Sequence, residues 1–189
     1  MGGFTGKRKQ EFKDGVVYNG DFVDGHFNGK GKLLLEDGSV YEGDFVNDKF
    51  EGKGIYKFSN GDVYEGDFAN NSFNGKGKFT SEGDTYEGDY VNDMRHGKGK
   101  YTFEGGNTYE GDWLDDDRHG KGKYTWVDGE TYEGDYVKGD RHGKGTYCYA
   151  NGAVYVGDFA AGKRTGKGKL TYADGRVEEG EWKNNEFLG

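Results

Sequence analysis

The pentapeptide Tyr41-Glu42-Gly43-Asp44-Phe45 recurs, with small changes, throughout this chain of 189 residues. Successive copies begin 23 residues apart, except for one interval of 22 residues. A Gly-Lys-Gly tripeptide begins 11 residues after the start of each of the first seven copies. Self-similarity at a fixed period is the sequence signature of a repeat architecture, in which one supersecondary unit stacks on the next. The eight copies begin at Tyr18, Tyr41, Tyr64, Tyr86, Tyr109, Tyr132, Tyr155 and Glu178.

The composition favours ordered repeats over disorder. The chain contains 38 Gly and no Pro and has a formal net charge of −9. Its mean hydropathy is −1.07, and this polarity together with the net charge usually indicates a disordered chain. The apolar material is instead aromatic, with 15 Tyr, 13 Phe and 3 Trp, and it is evenly spaced. Regular aromatic residues on a glycine-rich polar chain therefore predict repeats with a packed aromatic face.

Each repeat is predicted to contain two short strands. In the copy that begins at Tyr41, aromatic, acidic and glycine residues alternate, and this period of two places Tyr41, Gly43 and Phe45 on one face of a strand. Residues 52–58 alternate in the same way and are predicted to form the second strand. The sequence therefore predicts an all-β fold, an elongated, twisted single-layer solenoid of stacked antiparallel β-hairpins.

Turn chemistry is expected to separate the strands. Asn-Gly and Asp-Gly pairs such as Asn60-Gly61 are strong signals for tight turns, and we expect them to connect one repeat to the next. The connection inside each repeat, such as the one from Val46 to Glu51, has room for a loop of three to five residues.

Glycine normally weakens a strand, so its recurrence in these strands requires a packing reason. We expect aromatic rings of neighbouring strands to lie flat across the bare backbone at Gly43, Gly52 and Gly54 and at the equivalent glycines. On the opposite face, Glu42 and Asp44 are expected to pair with lysines of the adjoining strands. Opposite charges across strands contribute about 0.2–1 kcal/mol per pair, so this charged face is expected to serve stability.

The tandem unit Tyr-Glu-Gly-Asp-Phe followed by Arg-His-Gly-Lys-Gly-x-Tyr resembles the MORN repeat (membrane occupation and recognition nexus), from Gly6 to Gly189. The resemblance implies an elongated single-layer β rod with an aromatic groove. It also implies a non-catalytic scaffold, often in a cytoskeletal setting, and the family name implies an association with membranes. MORN arrays also occur beside kinase or methyltransferase domains, and this sequence contains neither.

The sequence predicts no enzymatic activity, no catalytic residues, no metal site and no cofactor, because no nucleophile, base and acid set emerges. The net charge of −9 disfavours a nucleic-acid partner held by bulk attraction. His96, His119 and His142 recur once per repeat, about 9–10 Å apart, which is too far for ligands of one zinc ion. They are expected to be turn histidines that cap backbone groups; an intermolecular metal site of His142 with Cys148 is the alternative.

The residue two positions before Gly-Lys-Gly differs between the two halves of the chain. In the first half it is Phe27, Phe50 or Phe73, which we assign to loop positions. These edge aromatics are expected either to pack under the longer turn or to contact a partner. In the second half it is arginine, expected either to be solvated and paired with nearby aspartates or to bind phosphate or an acidic peptide. This basic ladder consists of Arg95, Arg118, Arg141 and Arg164.

These observations predict a scaffold or adaptor that binds protein partners, expected to be cytoskeletal, through an extended aromatic groove. The alternative is a peripheral membrane module that recognises anionic phospholipid through the basic ladder. The expected location is cytoplasmic, at the cytoskeleton or the membrane periphery. The residues expected to line the groove are Tyr41, Phe45, Tyr64, Phe68, Tyr86, Tyr90, Tyr109, Trp113, Tyr132 and Tyr136.

The repeats are expected to form one domain over residues 1–189, with partial units at 1–17 and 178–189. Terminal strands with unpaired backbone groups would be open edges, and Trp182 and Phe187 are large apolar groups near one of them. We therefore expect a two-fold homodimer through the C-terminal end. The alternative is that acidic residues keep this edge monomeric, namely Glu178, Glu179, Glu181 and Glu186.

Overall fold

A computed structural model describes residues 3–189 of the chain; Met1 and Gly2, part of the predicted first partial unit, lie outside the described residues. The described chain contains seventeen β-strands and one short 3-10 turn, Lys13–Gly15, and every strand pair is antiparallel. The prediction of an all-β fold is therefore confirmed. The chain divides into two compact units, Met1–Met94 and Arg95–Gly189, called unit 1 and unit 2 below.

The strands follow one another along the chain as hairpins. Those that begin in unit 1 are β1 (Gly6–Glu11), β2 (Val17–Val23), β3 (His26–Leu34), β4 (Val40–Val46), β5 (Lys49–Lys57), β6 (Val63–Ala69), β7 (Ser72–Ser81), β8 (Asp84–Val91) and β9 (Met94–Thr102). Those of unit 2 are β10 (Thr108–Leu114), β11 (Asp117–Thr125), β12 (Thr131–Val137), β13 (Asp140–Cys148), β14 (Val154–Ala160), β15 (Lys163–Thr171), β16 (Val177–Lys183) and β17 (Glu186–Phe187).

Within each unit the sheet is a single layer. Each strand pairs with its neighbours in sequence; β4, for example, pairs with β3 and β5. Extensive contacts between strands of the described chain occur only between sequence neighbours. The stacked-hairpin, single-layer prediction is therefore confirmed, whereas the single-domain assignment over residues 1–189 stays a prediction.

The two kinds of turn are the reverse of those predicted. Inside a repeat, only Asn47 and Asp48 separate β4 from β5, and both have positive φ, 48° and 66°, as in a tight hairpin turn. Between repeats, residues 35–39 form the longer connection, closed by a hydrogen bond from the Leu35 N–H to the Ser39 carbonyl (2.9 Å). Asn and Asp tolerate the left-handed region, which explains why a turn without glycine can be this short.

The longer strands also contain a β-bulge that the sequence pattern did not predict. Gly43 pairs with Gly54, but the next residue, Asp44, pairs with Glu51, so β5 has two more residues than β4 at this point. Gly52 lies in the bulge with a φ of 60°. The Asp44 carboxylate accepts a hydrogen bond from the Lys53 N–H (3.1 Å), which satisfies a backbone donor that the bulge removes from the ladder.

The core is a row of tyrosine rings that lie over glycine. A Cβ atom built on Gly54 would lie 2.5 Å from the Tyr41 ring, and one built on Gly43 would lie 2.5 Å from the Tyr41 hydroxyl oxygen. That hydroxyl donates to the Asp44 carbonyl at 2.9 Å. The ring-over-glycine prediction is confirmed at Gly54. At Gly43 the contact comes from the hydroxyl group of Tyr41 in the same strand, not from a ring of a neighbouring strand. The prediction is wrong at Gly52, where a Cβ would meet the Asp44 carboxylate at 2.9 Å and where the positive φ explains the glycine.

The opposite face of the sheet carries the predicted ladder of ion pairs. Lys30 pairs with Asp44 at 2.7 Å and Lys53 pairs with Asp67 at 2.6 Å, each linking one hairpin to the next. The lysine side chains are about 70% exposed, so each pair contributes little by itself. The aspartate therefore has two tasks, because it also accepts the bulge N–H of the following strand.

Candidate functional site

The ten residues predicted to line a groove form the core instead of the surface. Tyr41, Tyr64, Tyr109 and Tyr132 have 0% relative exposure, and none of the ten exceeds 5%. Their rings lie on the glycine backbone or against one another edge to face, as Tyr41 does with Phe45 at 5.0 Å. A partner would touch the side chains that cover this row.

A second row of rings lies on the same face and is half-buried. Its rings belong to residues at or just after the end of each longer strand. Tyr124 and Trp126, for example, are two residues apart in sequence, and their ring centroids are 4.4 Å apart. In unit 2 the row is continuous, with neighbouring centroids 4.4–5.8 Å apart. We call it the ring strip; it consists of Tyr101, Phe103, Tyr124, Trp126, Tyr147 and Tyr149. Unit 1 has a shorter equivalent, Tyr56, Phe58 and Phe79.

Alternation along the predicted second strand places Tyr124 and Trp126 on the aromatic face, but the ring strip was not among the predicted binding residues. Alternation shows that both rows share a face, but it does not show which row is covered. The contacts with glycine decide which row is covered. Tyr109 lies over both Gly111 and Gly122 and is buried. Tyr124, which is also two residues from Gly122, covers neither glycine. Tyr124 and Trp126 lie nearer the longer turn and remain half-exposed.

In unit 1 the edge aromatics complete the core. Phe50 stacks on Tyr41 with the ring centroids 3.8 Å apart and the planes 17° apart. Phe27 on Tyr18 and Phe73 on Tyr64 repeat this geometry at 3.8 and 3.6 Å. The prediction that they occupy loops was wrong, because they lie in strands β3, β5 and β7. They are buried or half-buried, and therefore do not form a solvent-facing row.

In unit 2 arginine replaces the phenylalanine on the same aromatic face. The Arg118 guanidinium lies 5.7 Å from the centroid of the buried Tyr109 ring and 5.5 Å from that of Tyr124 in the ring strip. Arg141 lies between Tyr132 (5.6 Å) and Tyr147 (5.2 Å) in the same way. A planar cation over aromatic faces is attracted by their quadrupoles, so the side chain takes the place of a stacked ring.

Hydrogen bonds fix these guanidinium groups to the next turn. Arg118 donates to the Gly139 carbonyl and Arg141 donates to the Gly162 carbonyl, both at 2.7 Å. The predicted pairing with aspartate holds for Arg95, which bonds the Asp116 carboxylate at 2.8 Å. Arg118, Arg141 and Arg164 bond main-chain carbonyls instead; Arg164 donates to Asn185 at 2.7 Å. The basic ladder is therefore part of the aromatic face and does not form a separate edge.

Tyr136 and Tyr147 of this face stay neutral at ordinary pH. Burial raises the pKa of Tyr136 to about 12, despite the opposing effect of the Arg118 and Arg141 guanidinium groups. Burial also raises the pKa of Tyr147, and its hydrogen bond to the Glu130 carboxylate raises it further. The face therefore carries neutral rings, hydroxyl groups and guanidinium cations.

The structure also places the predicted turn histidines and the predicted C-terminal dimer residues. His96, His119 and His142 lie in strands, not in turns, and His96 Nδ1 lies 3.6 Å from the Asp115 carboxylate. Residues 3–189 hold no group of three potential metal-binding side chains. Trp182, expected at an open edge, is 3% exposed and its indole N–H donates to the Gly168 carbonyl at 3.0 Å. Phe187 is 36% exposed; the predicted homodimer contact stays a prediction.

Within the part of the chain that the structure describes, no helix has the length and apolar character needed to cross a membrane.

Comparisons with solved structures concern the fold. The TCP domain of Drosophila melanogaster SAS-4 (dCPAP), in complex with a proline-rich motif of Ana2 (dSTIL), is 16% identical with a TM-score of 0.51, covering 93% of this chain and 90% of that chain. The TCP10 domain of Danio rerio CPAP, in complex with a peptide of Danio rerio STIL, is 12% identical with a TM-score of 0.51, covering 92% and 83%.

Comparison with protein families identifies the repeat itself. No curated protein gives a significant sequence match to the chain. The family model for the MORN repeat matches residues 18–40, 41–63, 64–84, 86–108, 109–131, 132–154, 155–175 and 179–189. These segments begin at or next to the first residue of each repeat identified in the sequence, and together they cover most of the chain. The chain therefore belongs to the MORN repeat family.

Proposed function

We propose that this chain is a non-catalytic scaffold that binds an extended segment of a partner protein on the aromatic face of its sheet. The observation that carries the proposal is the ring strip of unit 2. Its six half-buried rings form a continuous row next to the buried tyrosines of the core. A contiguous row of partly exposed aromatic side chains is typical of a protein interface. The family resemblance adds a cytoskeletal setting to the proposal.

The comparison structures support a peptide as the ligand. Both the SAS-4 TCP domain and the CPAP TCP10 domain are complexes with a peptide or motif of another protein. A single-layer sheet leaves both of its faces open within a unit, so a partner segment can cross several hairpins. Each hairpin then contributes the same side chains to the contact, and the binding surface grows with the number of repeats.

The arginine geometry favours protein over lipid as the partner. A lipid-binding basic ladder requires guanidinium groups that project from the protein surface towards the lipid headgroups. Arg118 and Arg141 instead lie among rings and donate to the carbonyls of Gly139 and Gly162. On the opposite face the lysines are paired with aspartates, as Lys121 is with Asp135 at 2.5 Å.

Peptide display on the purified chain tests this proposal. We expect extended sequences to be enriched, and we expect the double substitution Tyr124→Ser and Trp126→Ser to reduce their capture at least about tenfold. Lys123→Ser is the matched control, because it changes the same strand on the opposite, exposed face. Equal capture by the double variant and the parent would contradict the proposal. Anionic vesicles in the same assay test the lipid alternative, whose binding should fall as salt increases.

A further inference from the structure

We infer that the segment bound by unit 2 is a proline-rich chain in the polyproline II conformation. In this arrangement three residues of the segment span the length of one repeat. Arg118, Arg141 and Arg164 donate hydrogen bonds to carbonyl groups of the segment. The inference rests on the proposed function and specifies its partner. Two independent features of the face support it: its surplus of hydrogen-bond donors and the distance between equivalent groups.

The donors come from the arginines. A guanidinium group has five N–H donors and no acceptor. Among residues 3–189, the side chains of Arg118, Arg141 and Arg164 each make one hydrogen bond, to a turn carbonyl at 2.7 Å. Each group therefore retains donors beside the ring strip, where Arg141 lies 5.2 Å from the Tyr147 ring and 5.9 Å from that of Trp126.

The Glu130 carboxylate beside the ring strip is already engaged. It accepts hydrogen bonds from the Tyr147 hydroxyl and from the Ala150 N–H, the latter at 3.3 Å. A suitable ligand should therefore present acceptors and few donors. Polyproline II backbone has no internal hydrogen bonds, and each proline removes one N–H while keeping its carbonyl.

The repeat distance selects the same conformation. Two strands per repeat at 4.7–4.9 Å place equivalent arginines about 9.4–9.8 Å apart. Polyproline II rises 3.1 Å per residue with three residues per turn, so equivalent positions recur about every 9.3 Å. A β-strand repeats its face every two residues, at about 6.7 Å, and an α-helix advances about 10.5 Å in seven residues. Among these conformations, only polyproline II stays in register over three repeats.

Unit 1 supplies an internal contrast. Its equivalent positions hold Phe27, Phe50 and Phe73, which stack on tyrosine rings and have no side-chain donor. The carbonyls of a polyproline segment would find no equivalent donor row there. The preference for a three-residue spacing is therefore assigned to unit 2, and it should depend on the arginines more than on the rings alone.

Two synthetic peptides of equal length and composition test the inference on the full chain. One has proline at every third position and the other at every fourth. Calorimetry should give an affinity at least about tenfold higher for the three-residue spacing, the equivalent of one retained charge-assisted hydrogen bond. Arg118→Gln with Arg141→Gln should remove this preference, whereas Lys123→Gln, with the same charge change per site on the opposite face, should keep it.

The outcomes separate this inference from the proposed function. Equal affinity for the two peptides, or selection of peptides without proline by the same ring strip, would overturn the polyproline inference and leave the protein-binding proposal intact. Failure of the parent chain to enrich any peptide in the display experiment would instead contradict the proposed function. Because the glutamine variants could lose stability, Arg118→Lys with Arg141→Lys serves as a second test. It keeps the charge, removes the planar donor group, and should still reduce the preference.

Discussion

Units 1 and 2 use the same hairpin but differ in the residue that covers the buried tyrosine of each repeat. In unit 1, Phe50 stacks on the buried Tyr41 ring at 3.8 Å. In unit 2 the equivalent Arg141 places its guanidinium group 5.6 Å from the centroid of the buried Tyr132 ring and bonds the Gly162 carbonyl at 2.7 Å. The tyrosine over glycine, the bulge and the two-residue turn are otherwise retained.

This difference shows that the residues that maintain the hairpin are distinct from the residue that sets the chemistry of its surface. The buried tyrosine row and the glycines beneath it maintain the hairpin in both units, so the covering residue can change without changing the backbone. A phenyl ring closes the face with apolar surface. A guanidinium group covers the same row as a planar cation and adds hydrogen-bond donors. The two units therefore present different chemistry on the same backbone.

Alkaline pH should produce the largest effect, because the scaffold of both units depends on neutral tyrosines. Burial raises the pKa of Tyr18, Tyr136 and Tyr155 to about 12, whereas tyrosine in an unfolded chain titrates near about 10. A raised pKa in the folded state contributes stability that is complete below about pH 10 and is lost as pH rises towards 12. Tyrosinate absorbance and circular dichroism should therefore show both units unfolding in this window.

The control for the alkaline transition is Tyr136→Phe, which places the residue found at Phe45 and Phe159 in the equivalent position. Removal of one titrating hydroxyl should shift the midpoint upwards. A downward shift would show that ionisation of the buried rings does not drive unfolding.

Alanine at the covered glycines should be strongly destabilising, and equally so in the two units. A Cβ on Gly43 or Gly134 would lie 2.5 Å from a tyrosine hydroxyl oxygen and 2.6 Å from a backbone atom of the paired strand. We expect each substitution to lower the free energy of unfolding by about 3 kcal/mol in urea denaturation. Gly105→Ala is the control, because its Cβ meets no atom within 4 Å. A clear difference between the two units would contradict a shared scaffold.

The covering residue should matter less in unit 2 than in unit 1. Phe50→Ala removes a ring that is 9% exposed and should cost about 3 kcal/mol in the free energy of unfolding. Arg141→Ala removes a cation–π contact and one hydrogen bond and should cost about 1–2 kcal/mol. Urea denaturation compares the two directly. A larger loss for Arg141→Ala would mean that the arginine is chiefly structural.

The ion pairs of the opposite face should have the smallest effect and should not distinguish the units. Lys121→Gln in unit 2 and Lys53→Gln in unit 1 each break an exposed pair with aspartate, at 2.5 and 2.6 Å. Each should change the free energy of unfolding by less than about 0.5 kcal/mol. The hydrogen bond from Lys121 lowers the pKa of Asp135, so Lys121→Gln should raise that pKa, which carboxylate titration by NMR can detect.

The repeat period, the strands and the face shared by the aromatic residues could be predicted from alternation, because side chains in a strand point to opposite sides in turn. The ring-over-glycine contact at Gly54 could be predicted for the same reason. The turns were assigned in reverse, since the bulge at Gly52 and the left-handed Asn47 and Asp48 depend on backbone geometry that alternation does not encode.

The sequence predicted which face of the sheet carries the candidate site, but it did not predict which residues of that face are exposed. The pattern places Tyr109 and Tyr124 on one face, and only the packing decides that Tyr109 is buried and that Tyr124 is half-exposed. The arginine positions were recognised, but their stacking and their carbonyl acceptors in the next turn depend on contacts about 21 residues apart in sequence, such as Arg118 with Gly139.

Trp126 provides the most direct test that the ring strip of unit 2 is the binding surface. It is half-buried, whereas Trp113 and Trp182 are 5% and 3% exposed and can be replaced by phenylalanine to leave Trp126 as the single tryptophan. At saturation with the peptide that carries proline at every third position, established by calorimetry, Trp126 emission should shift to shorter wavelength and become protected from acrylamide quenching. Unchanged emission and quenching of Trp126 at saturation would contradict the assignment of binding to this face.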